Sequence, residues 1–287
     1  MTITPRQWWQ RGTTTELAGR RVFAVDAGAG PDLTLLHGYP ASSLEWGGVL
    51  DDLAGRHRVL APDFVGFGAS AKPRTGAIGI DLQADVVEAL WAHHGVERTS
   101  IVAYDYGAIV TQELLARSRE GRLAVQVDAV VLGNAGLHHE VYRPRPFQRV
   151  LKTPVLGDLL AHVITEPRFR AAWAPAFGPE HPLSEDAAAQ HYAALTHDGG
   201  LGLQRRVLGY IGERARRSDR WEGVLDADAP IAGLVWGMAD PVSGAHVLAS
   251  VRGALPQARV VELDGVGHCP HIEVPEAWAA RVLELLA

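Results

Sequence analysis

An aspartate stands between small residues where an apolar strand pattern gives way to a helical one. Residues 103–108 read AYDYGA, with Asp105 in the third place. The pattern is typical of a nucleophile elbow, a strained turn that lifts one side chain above a sheet and needs small neighbours because strand and helix approach closely there. An aspartate that only caps a helix gives the same local pattern, so this string alone does not decide between the two.

An aspartate in such a turn favours one kind of chemistry. Its carboxyl group, with an unperturbed pKa of about 3.9, is already an anion at neutral pH and needs no base to become a nucleophile. Attack on an ester carbonyl would leave a reactive anhydride, whereas attack on a saturated carbon leaves an ordinary ester. Asp105 is therefore predicted to displace a leaving group from a saturated carbon.

Two further polar residues follow the last two strand patterns of the chain. Asp240 comes after the apolar run 231–236, and His268 lies in the glycine-rich loop after the run 259–263. Nucleophile, acid and histidine thus follow one another in the order that accompanies this type of turn. We predict a catalytic triad of Asp105, Asp240 and His268, in which the histidine activates water.

The string HGYP at residues 37–40 follows an early strand pattern. A loop there can present a backbone N–H opposite the N–H that follows the nucleophile. Two such donors would hold the oxyanion that forms when water attacks an ester of the nucleophile. We predict that the backbone amides of Tyr39 and Tyr106 form this oxyanion hole.

Strand and helix patterns alternate around these residues, which predicts a mostly parallel central sheet flanked by helices. The predicted strands are a pair within Thr13–Asp26 and the runs Leu33–Leu36, Arg58–Phe64, Ile101–Tyr104, Val127–Leu132, Ile231–Trp236 and Arg259–Leu263. The predicted helices are Leu44–Leu53, Leu82–Trp91 after an Asp81 N-cap, Ile109–Leu115, His246–Val251 and a last one from Pro275.

The alternation stops at residues 135–222, where aromatic residues, prolines and helical patterns at 185–195 and 203–210 occur. We predict that 135–222 is an inserted helical cap and that 1–134 and 223–287 form the core domain. The aromatic residues of the predicted cap favour a small, largely apolar organic substrate, with water as the second reactant.

Composition narrows the function classes. The 287 residues carry a formal charge of −6 without a dense basic face, which argues against nucleic acid. A single cysteine and a start without a long apolar run lead us to expect a cytoplasmic protein with no membrane partner. The histidine pairs at 93–94 and 138–139 lack the spacing of a metal site, so neither a metal nor a cofactor is predicted. A monomer and a homodimer are both compatible with the sequence.

These motifs resemble the epoxide hydrolase and haloalkane dehalogenase branch of the α/β-hydrolases. The shared strings are HGYP, DFVGFGAS at 63–70, the aspartate elbow and GVGHCPHIEVP at 265–275, in family order along nearly the whole chain. Within that branch the chain is most similar to the mesoderm-specific transcript group, through SSLEW at 42–46, the run 105–115, FGP at 177–179 and the pair 210–211. The resemblance implies the α/β-hydrolase fold with a helical cap.

The chain departs from that branch at its substrate contacts. The residue after the nucleophile is usually Trp in both catalytic groups and is Tyr106 here, and dehalogenases commonly carry Asn where this chain has Tyr39. Epoxide hydrolases use tyrosines of the cap to hydrogen-bond the epoxide oxygen. Tyr210 stands where the resemblance places one of them, and Tyr142 or Tyr192 is predicted to be the other.

The sequence therefore predicts a hydrolase that opens an epoxide to a vicinal diol through an ester of Asp105. Two alternatives stay open. One is a haloalkane dehalogenase in which Trp46 or a tyrosine hydroxyl replaces the usual halide donors. The other is a weakly catalytic, ligand-binding α/β-hydrolase, whose Asp105→Asn variant would bind its ligand equally well.

Overall fold

A mostly parallel sheet organises the computed structural model, which describes residues 3–141, 143 and 163–287. The eight strands of the described part follow the order β1-β2-β4-β3-β5-β6-β7-β8. They are β1 (Gly12–Leu17), β2 (Arg20–Ala27), β3 (Asp32–Leu36), β4 (Arg58–Pro62), β5 (Arg98–Ala103), β6 (Gln126–Leu132), β7 (Ile231–Gly237) and β8 (Arg259–Leu263). The β1–β2 and β2–β4 pairs are antiparallel and the remaining pairs are parallel. The predicted α/β-hydrolase sheet is confirmed.

Apolar side chains cover both faces of this sheet. Along β5, Ile101 and Ala103 belong to one buried cluster and Val102 belongs to the other. This alternation is expected because successive side chains of a strand point to opposite faces. A parallel sheet needs such double cover, and helices on each side supply it.

Helices fill the connections between strands. The α-helices of the described residues are Pro5–Trp9, Leu50–Ala54, Ile80–His93, Asp105–Arg119, Glu166–Trp173, Glu185–Thr196, Gln204–Val207, Tyr210–Arg216, Ser218–Glu222, Ala245–Arg252, Pro270–Glu273 and Pro275–Leu286. Short 3-10 helices span Ser43–Gly48, Ala174–Ala176 and His197–Leu203. The helix predicted over 44–53 is therefore two pieces, which meet just after the glycine pair 47–48.

The predicted N-cap at Asp81 is wrong. Gly79 is the N-cap of the helix Ile80–His93, and Asp81 lies in its first turn. The N–H of Ile80, which has no acceptor within its own helix, donates to the carboxylate of Glu213 at 3.1 Å. A residue 133 positions away in the chain thus satisfies a donor that a local capping side chain usually satisfies.

The strand order explains where a site can form. In the sheet, β4 lies next to β3 on one side and β5 lies next to β3 on the other side. The connections that follow β3 and β5 therefore run away from each other. A crevice forms between the two connections at the carboxyl ends of these strands. Asp105 follows β5, and Tyr39 follows β3, so the topology brings them side by side.

The described part of residues 135–222 contains helices and turns, while every described strand lies outside it. The division into a core and a predicted cap remains a prediction about domains. Within the described ranges, no helix is both long and apolar enough to cross a membrane.

Candidate active site

The backbone at Asp105 has the strained geometry predicted for an elbow. Its φ is +43°, in the left-handed region that few side chains adopt. Its N–H donates to the carbonyl of Asn134 at 2.9 Å, which fixes the turn against the end of β6. A Cβ on Gly107 would lie 2.2 Å from the carbonyl oxygen of Leu36, so the helix can approach the sheet only with glycine at that position.

His268 and Asp240 meet as predicted. Nδ1 of His268 lies 2.7 Å from Oδ2 of Asp240. The same oxygen accepts from the hydroxyl of Ser243 at 2.8 Å and from the side-chain amide of Asn134 at 3.0 Å. The backbone N–H of Val242 donates to the other oxygen at 2.7 Å. A carboxylate with so many donors is held in one orientation and in turn orients the imidazole.

The other ring nitrogen of His268 faces the predicted nucleophile. Nε2 lies 3.8 Å from Oδ1 of Asp105. Both side chains are almost fully buried. The backbone N–H of His268 donates to the carbonyl of Ala176 at 2.7 Å, so a residue of the predicted cap helps to hold the histidine loop.

Two backbone amides reach the carboxyl group of Asp105. The N–H of Tyr39 lies 2.9 Å from Oδ2, and the N–H of Tyr106 also donates to this carboxyl group. These are the two predicted oxyanion donors. The geometry brings together all five residues of the predicted triad and oxyanion hole.

Burial and charge oppose each other in this site. Burial raises the pKa of Asp105, although His268, the two amides and the cation of Arg214 draw it down again in part. Burial lowers the pKa of His268, but the charge and hydrogen bond of Asp240, with the charge of Asp105, outweigh it and raise that pKa to about 9. Burial likewise raises the pKa of Asp240, yet His268 and the other donors bring it to about 2. The raised pKa of His268 and the lowered pKa of Asp240 favour an imidazolium paired with the Asp240 carboxylate at neutral pH.

A cluster of aromatic side chains surrounds the residues that carry the two amides, Tyr39 and Tyr106. The ring of Tyr210 lies edge to face against the ring of Tyr106, with centroids 4.9 Å apart, and 6.5 Å from the ring of Tyr39. Phe64 and Phe67 pack on Tyr106 from the core side. Tyr210, the tyrosine predicted to contact substrate, therefore lies beside the two residues predicted to supply the oxyanion donors.

The remaining predicted substrate contacts lie elsewhere. The hydroxyl of Tyr192 donates to the carbonyl of Ile164 at 2.8 Å, and its ring packs on Phe169. The ring of Trp46 stacks on Trp278, with centroids 5.7 Å apart, in a different buried cluster from Tyr210. Tyr142 lies outside the described residues. Their roles as substrate contacts remain predictions.

Sequence reasoning missed Asn134, Ser243 and Glu45. Asn134 follows β6 as Asp240 follows β7, and the rule that polar residues after parallel strands share one edge would have found it. Ser243 lies three residues after Asp240 in the same loop. Glu45 lies in the shared string SSLEW at 42–46, but nothing in that string indicates which residues its carboxyl group would contact.

No group of three or more His, Cys, Asp or Glu side chains in the described part of the chain could hold a metal ion. The expectation of neither metal nor cofactor remains a prediction.

The comparison with known families agrees with this architecture. A model of the alpha/beta hydrolase fold matches residues 33–275. The chain belongs to the α/β-hydrolase fold family and is a hydrolase of that fold.

Relatives within this family extend along almost the whole chain. LipZ of Mycobacterium tuberculosis is 39% identical over 284 residues, which cover 98% of this chain and 97% of LipZ. The mesoderm-specific transcript homolog protein of Homo sapiens is 35% identical over 281 residues, covering 93% of this chain and 83% of that protein. The predicted resemblance to the mesoderm-specific transcript group is confirmed.

Solved structures share the fold. The epoxide hydrolase CorEH superimposes with a TM-score of 0.76 at 21% identity, covering 96% of this chain and 98% of that chain. The haloalkane dehalogenase DbeA from Bradyrhizobium elkani gives a TM-score of 0.77 at 22% identity, with the same two coverages of 96% and 98%. At these identities the likeness concerns the fold.

Proposed function

We propose that the protein hydrolyses epoxides to vicinal diols through a covalent ester of Asp105. The observation that carries this proposal is the direction of the oxyanion donors, since the amides of Tyr39 and Tyr106 reach the carboxyl group of Asp105 itself. Donors placed there stabilise an oxyanion that forms on the carboxyl carbon of the nucleophile, which happens when water hydrolyses its ester.

The first step forms the ester. The amide of Tyr39 occupies Oδ2 of Asp105, so Oδ1 is the oxygen that bonds to the epoxide carbon while the ring C–O bond breaks. The hydroxyl of Tyr210 protonates the departing oxygen, and the imidazolium of His268 supplies the proton that restores the tyrosine. The products are a hydroxyalkyl ester and a neutral histidine.

The second step hydrolyses the ester. Asp105 has lost the charge that helped to raise the pKa of His268, so the histidine now acts as a base. It removes a proton from water, the hydroxide adds to Cγ, and Oδ2 becomes the oxyanion between the two amides. The Cγ–Oδ1 bond then breaks and the departing alcohol takes the proton of His268. The new carboxylic acid returns its own proton to His268, which regenerates the ion pair.

The origin of the product oxygens tests this route. With the protein in excess over an aryl or alkyl epoxide in ¹⁸O-water, a single turnover should place the label in the Asp105 carboxylate and release unlabelled diol. Mass spectrometry of the peptide that contains Asp105 and of the released diol measures the ¹⁸O content of each. Labelled diol in the first turnover would mean that water attacks the epoxide directly and would overturn the ester. Failure to open any epoxide of a broad panel would overturn the proposed activity.

The rate of ester hydrolysis should rise with pH. The base is the neutral form of His268. Because the pKa of His268 is raised to about 9, its ring stays protonated up to a higher pH than that of an ordinary histidine. More of the base is therefore present as pH increases through that pKa, which lies lower in the ester because the charge of Asp105 is gone. Quenched single-turnover measurements from about pH 5 to about pH 8 should show the rise. A rate that falls over this range would contradict His268 as the base.

Tyr210→Phe should slow ester formation about 100-fold, the usual effect of removing a positioned proton donor, and leave ester hydrolysis nearly unchanged. Tyr192→Phe should have the smaller effect because the ring of Tyr192 packs on Phe169, whereas the ring of Tyr210 lies against Tyr106 beside the nucleophile. Single-turnover kinetics separate the two steps. A larger loss in Tyr192→Phe would transfer the role of proton donor to that tyrosine.

The dehalogenase alternative is tested in the same assays with bromoalkanes. Asp105 would serve equally well as the nucleophile there, but Trp46 stacks on Trp278 in a different buried cluster from Tyr210, which makes it a less suitable halide donor. Bromide release that depends on Asp105, without diol formation from epoxides, would move the function to dehalogenation.

A further inference from the structure

A buried carboxyl group connects the two loops that carry the nucleophile and an oxyanion donor. Glu45 lies in the 3-10 helix Ser43–Gly48 and is 3% exposed. Its Oε1 accepts from the backbone N–H of Gly38 at 3.0 Å, and its Oε2 accepts from the hydroxyl of Tyr104 at 2.6 Å. Gly38 precedes Tyr39, and Tyr104 precedes Asp105.

The bridge spans the contact on which ester hydrolysis depends. The amide of Tyr39 and the carboxyl oxygen of Asp105 are 2.9 Å apart, and each belongs to a residue next to one end of the bridge. The two loops are in close contact, since a Cβ on Gly38 would lie 2.6 Å from the ring of Tyr104. A shift of either loop would therefore move an oxyanion donor relative to the carbon that it serves.

Burial is the main factor that favours the neutral form of Glu45 at neutral pH. Burial raises the pKa of Glu45 to about 8, and the charge of Asp105 adds to this, whereas His37, Tyr104 and the amide of Gly38 oppose it. Nε2 of His271, from the helix Pro270–Glu273, lies 3.7 Å from Oε2. Burial lowers the pKa of His271 to about 3, so this ring is neutral and adds no positive charge.

A neutral bridge suits its position. A second negative charge beside Asp105 would disfavour the oxyanion that develops during ester hydrolysis. A protonated carboxyl group can keep both contacts without adding that repulsion, because its carbonyl oxygen accepts from Gly38 while its hydroxyl donates to the oxygen of Tyr104.

We propose that Glu45 is a positioning residue that holds the Tyr39 amide against the carboxyl group of Asp105 during ester hydrolysis. The kinetic part of this inference rests on the proposed function. Glu45 does not touch the reacting atoms, and its effect passes through Gly38 and Tyr104.

Two variants separate bridging from mere packing. Glu45→Leu fills the space and removes both hydrogen bonds, while Glu45→Gln keeps a neutral group that can accept from Gly38 and donate to the oxygen of Tyr104. In single turnover, Glu45→Leu should slow ester hydrolysis about 100-fold, the effect of misplacing one oxyanion donor, and change ester formation far less. Glu45→Gln should restore hydrolysis to within about threefold of the native rate. Equal slowing of both steps in Glu45→Leu, or failure of Glu45→Gln to restore hydrolysis, would overturn the proposal.

Amide hydrogen exchange tests the bridge without any substrate. The exchange of Gly38 and Tyr39 should accelerate about tenfold in Glu45→Leu and return to native values in Glu45→Gln. Faster exchange throughout the sheet would indicate global destabilisation instead. If Glu45→Leu does not fold, Tyr104→Phe removes one of the two bonds and should accelerate exchange at the same amides. Unchanged exchange there overturns the bridge, whereas an absence of epoxide turnover in the native protein overturns only the proposed function.

Discussion

Asp105→Asn is expected to lower diol release by about 10⁴-fold or more, because loss of a nucleophile removes the covalent route rather than weakening it. The amide of asparagine is a poor nucleophile at a saturated carbon. Its oxygen can still accept from the Tyr39 amide, which lies 2.9 Å from Oδ2 of Asp105 in the native protein. The substitution thus removes the chemistry while retaining the shape of the site.

Asparagine is also the replacement that best preserves the fold. The φ of +43° at Asp105 lies in a region where Asn and Asp are enriched among non-glycine residues, whereas alanine there carries a steric cost of about 1–2 kcal/mol. The melting temperature of Asp105→Asn should therefore stay near the native value. A matched control is Asp52→Asn, the same change at an exposed position of the helix Leu50–Ala54.

The readouts are the initial rate of diol formation, the intact mass after incubation with an epoxide, and the melting temperature. Asp52→Asn should match the native protein in all three. Diol release by Asp105→Asn within about tenfold of the native rate would exclude this carboxylate as the nucleophile. A native protein that turns over no substrate, and whose Asp105→Asn variant binds a ligand equally well, would instead support the weakly catalytic alternative.

The sequence predicted the parts of this protein that local patterns determine. Strand β8 was predicted with its observed bounds, and β3 was predicted with one residue missing at its start. Apolar runs of this length fit strands buried on both faces, and the residues after them must lie at one edge of a parallel sheet. For the same reason the sequence sufficed to group Asp105, Asp240 and His268, which three different strands carry to that edge.

What the sequence could not predict depends on contacts between distant segments. The helix Ile80–His93 begins where the carboxylate of Glu213 can accept from its first N–H. The residues near position 80 do not indicate that Glu213 is the acceptor. Glu45 likewise has a role only because β3 and β5 are neighbours, which places Gly38 and Tyr104 within reach of one carboxyl group. Such contacts follow from the assembled sheet rather than from periodicity.

The predicted substrate contacts Tyr210 and Trp46 show the same limit in another form. An aromatic residue can line a substrate chamber or form part of the core, and the sequence pattern is alike in both cases. The structure places Trp46 against Trp278 and Tyr104, while Tyr210 comes to lie against Tyr106. Only the packing separates Tyr210, which lies beside the predicted oxyanion donors, from Trp46, which belongs to another buried cluster.

His268→Gln is expected to stop the reaction at the ester. Formation of the ester needs the Asp105 carboxylate and the hydroxyl of Tyr210, which water can reprotonate over a single turnover when His268 is absent. Hydrolysis of the ester needs a base 3.8 Å from Oδ1, and glutamine cannot accept a proton from water. Hydrolysis should slow about 10³-fold or more, so that a stoichiometric mass adduct on Asp105 accumulates within one turnover. Glutamine is preferred to alanine because its amide can still donate to Asp240, a buried carboxylate that would otherwise lose its partner at 2.7 Å.

The matched control is His93→Gln, which changes an exposed histidine of the helix Ile80–His93 and should leave neither step altered. Quenched samples analysed by intact mass and by peptide mapping show whether the adduct forms and where it lies. Release of diol from His268→Gln at the native rate, with no adduct, would exclude His268 as the base. An adduct on a residue other than Asp105 would assign the role of nucleophile to that residue. In the proposed route the nucleophile loses its charge when the ester forms, and it faces Nε2 of His268, as Asp105 does.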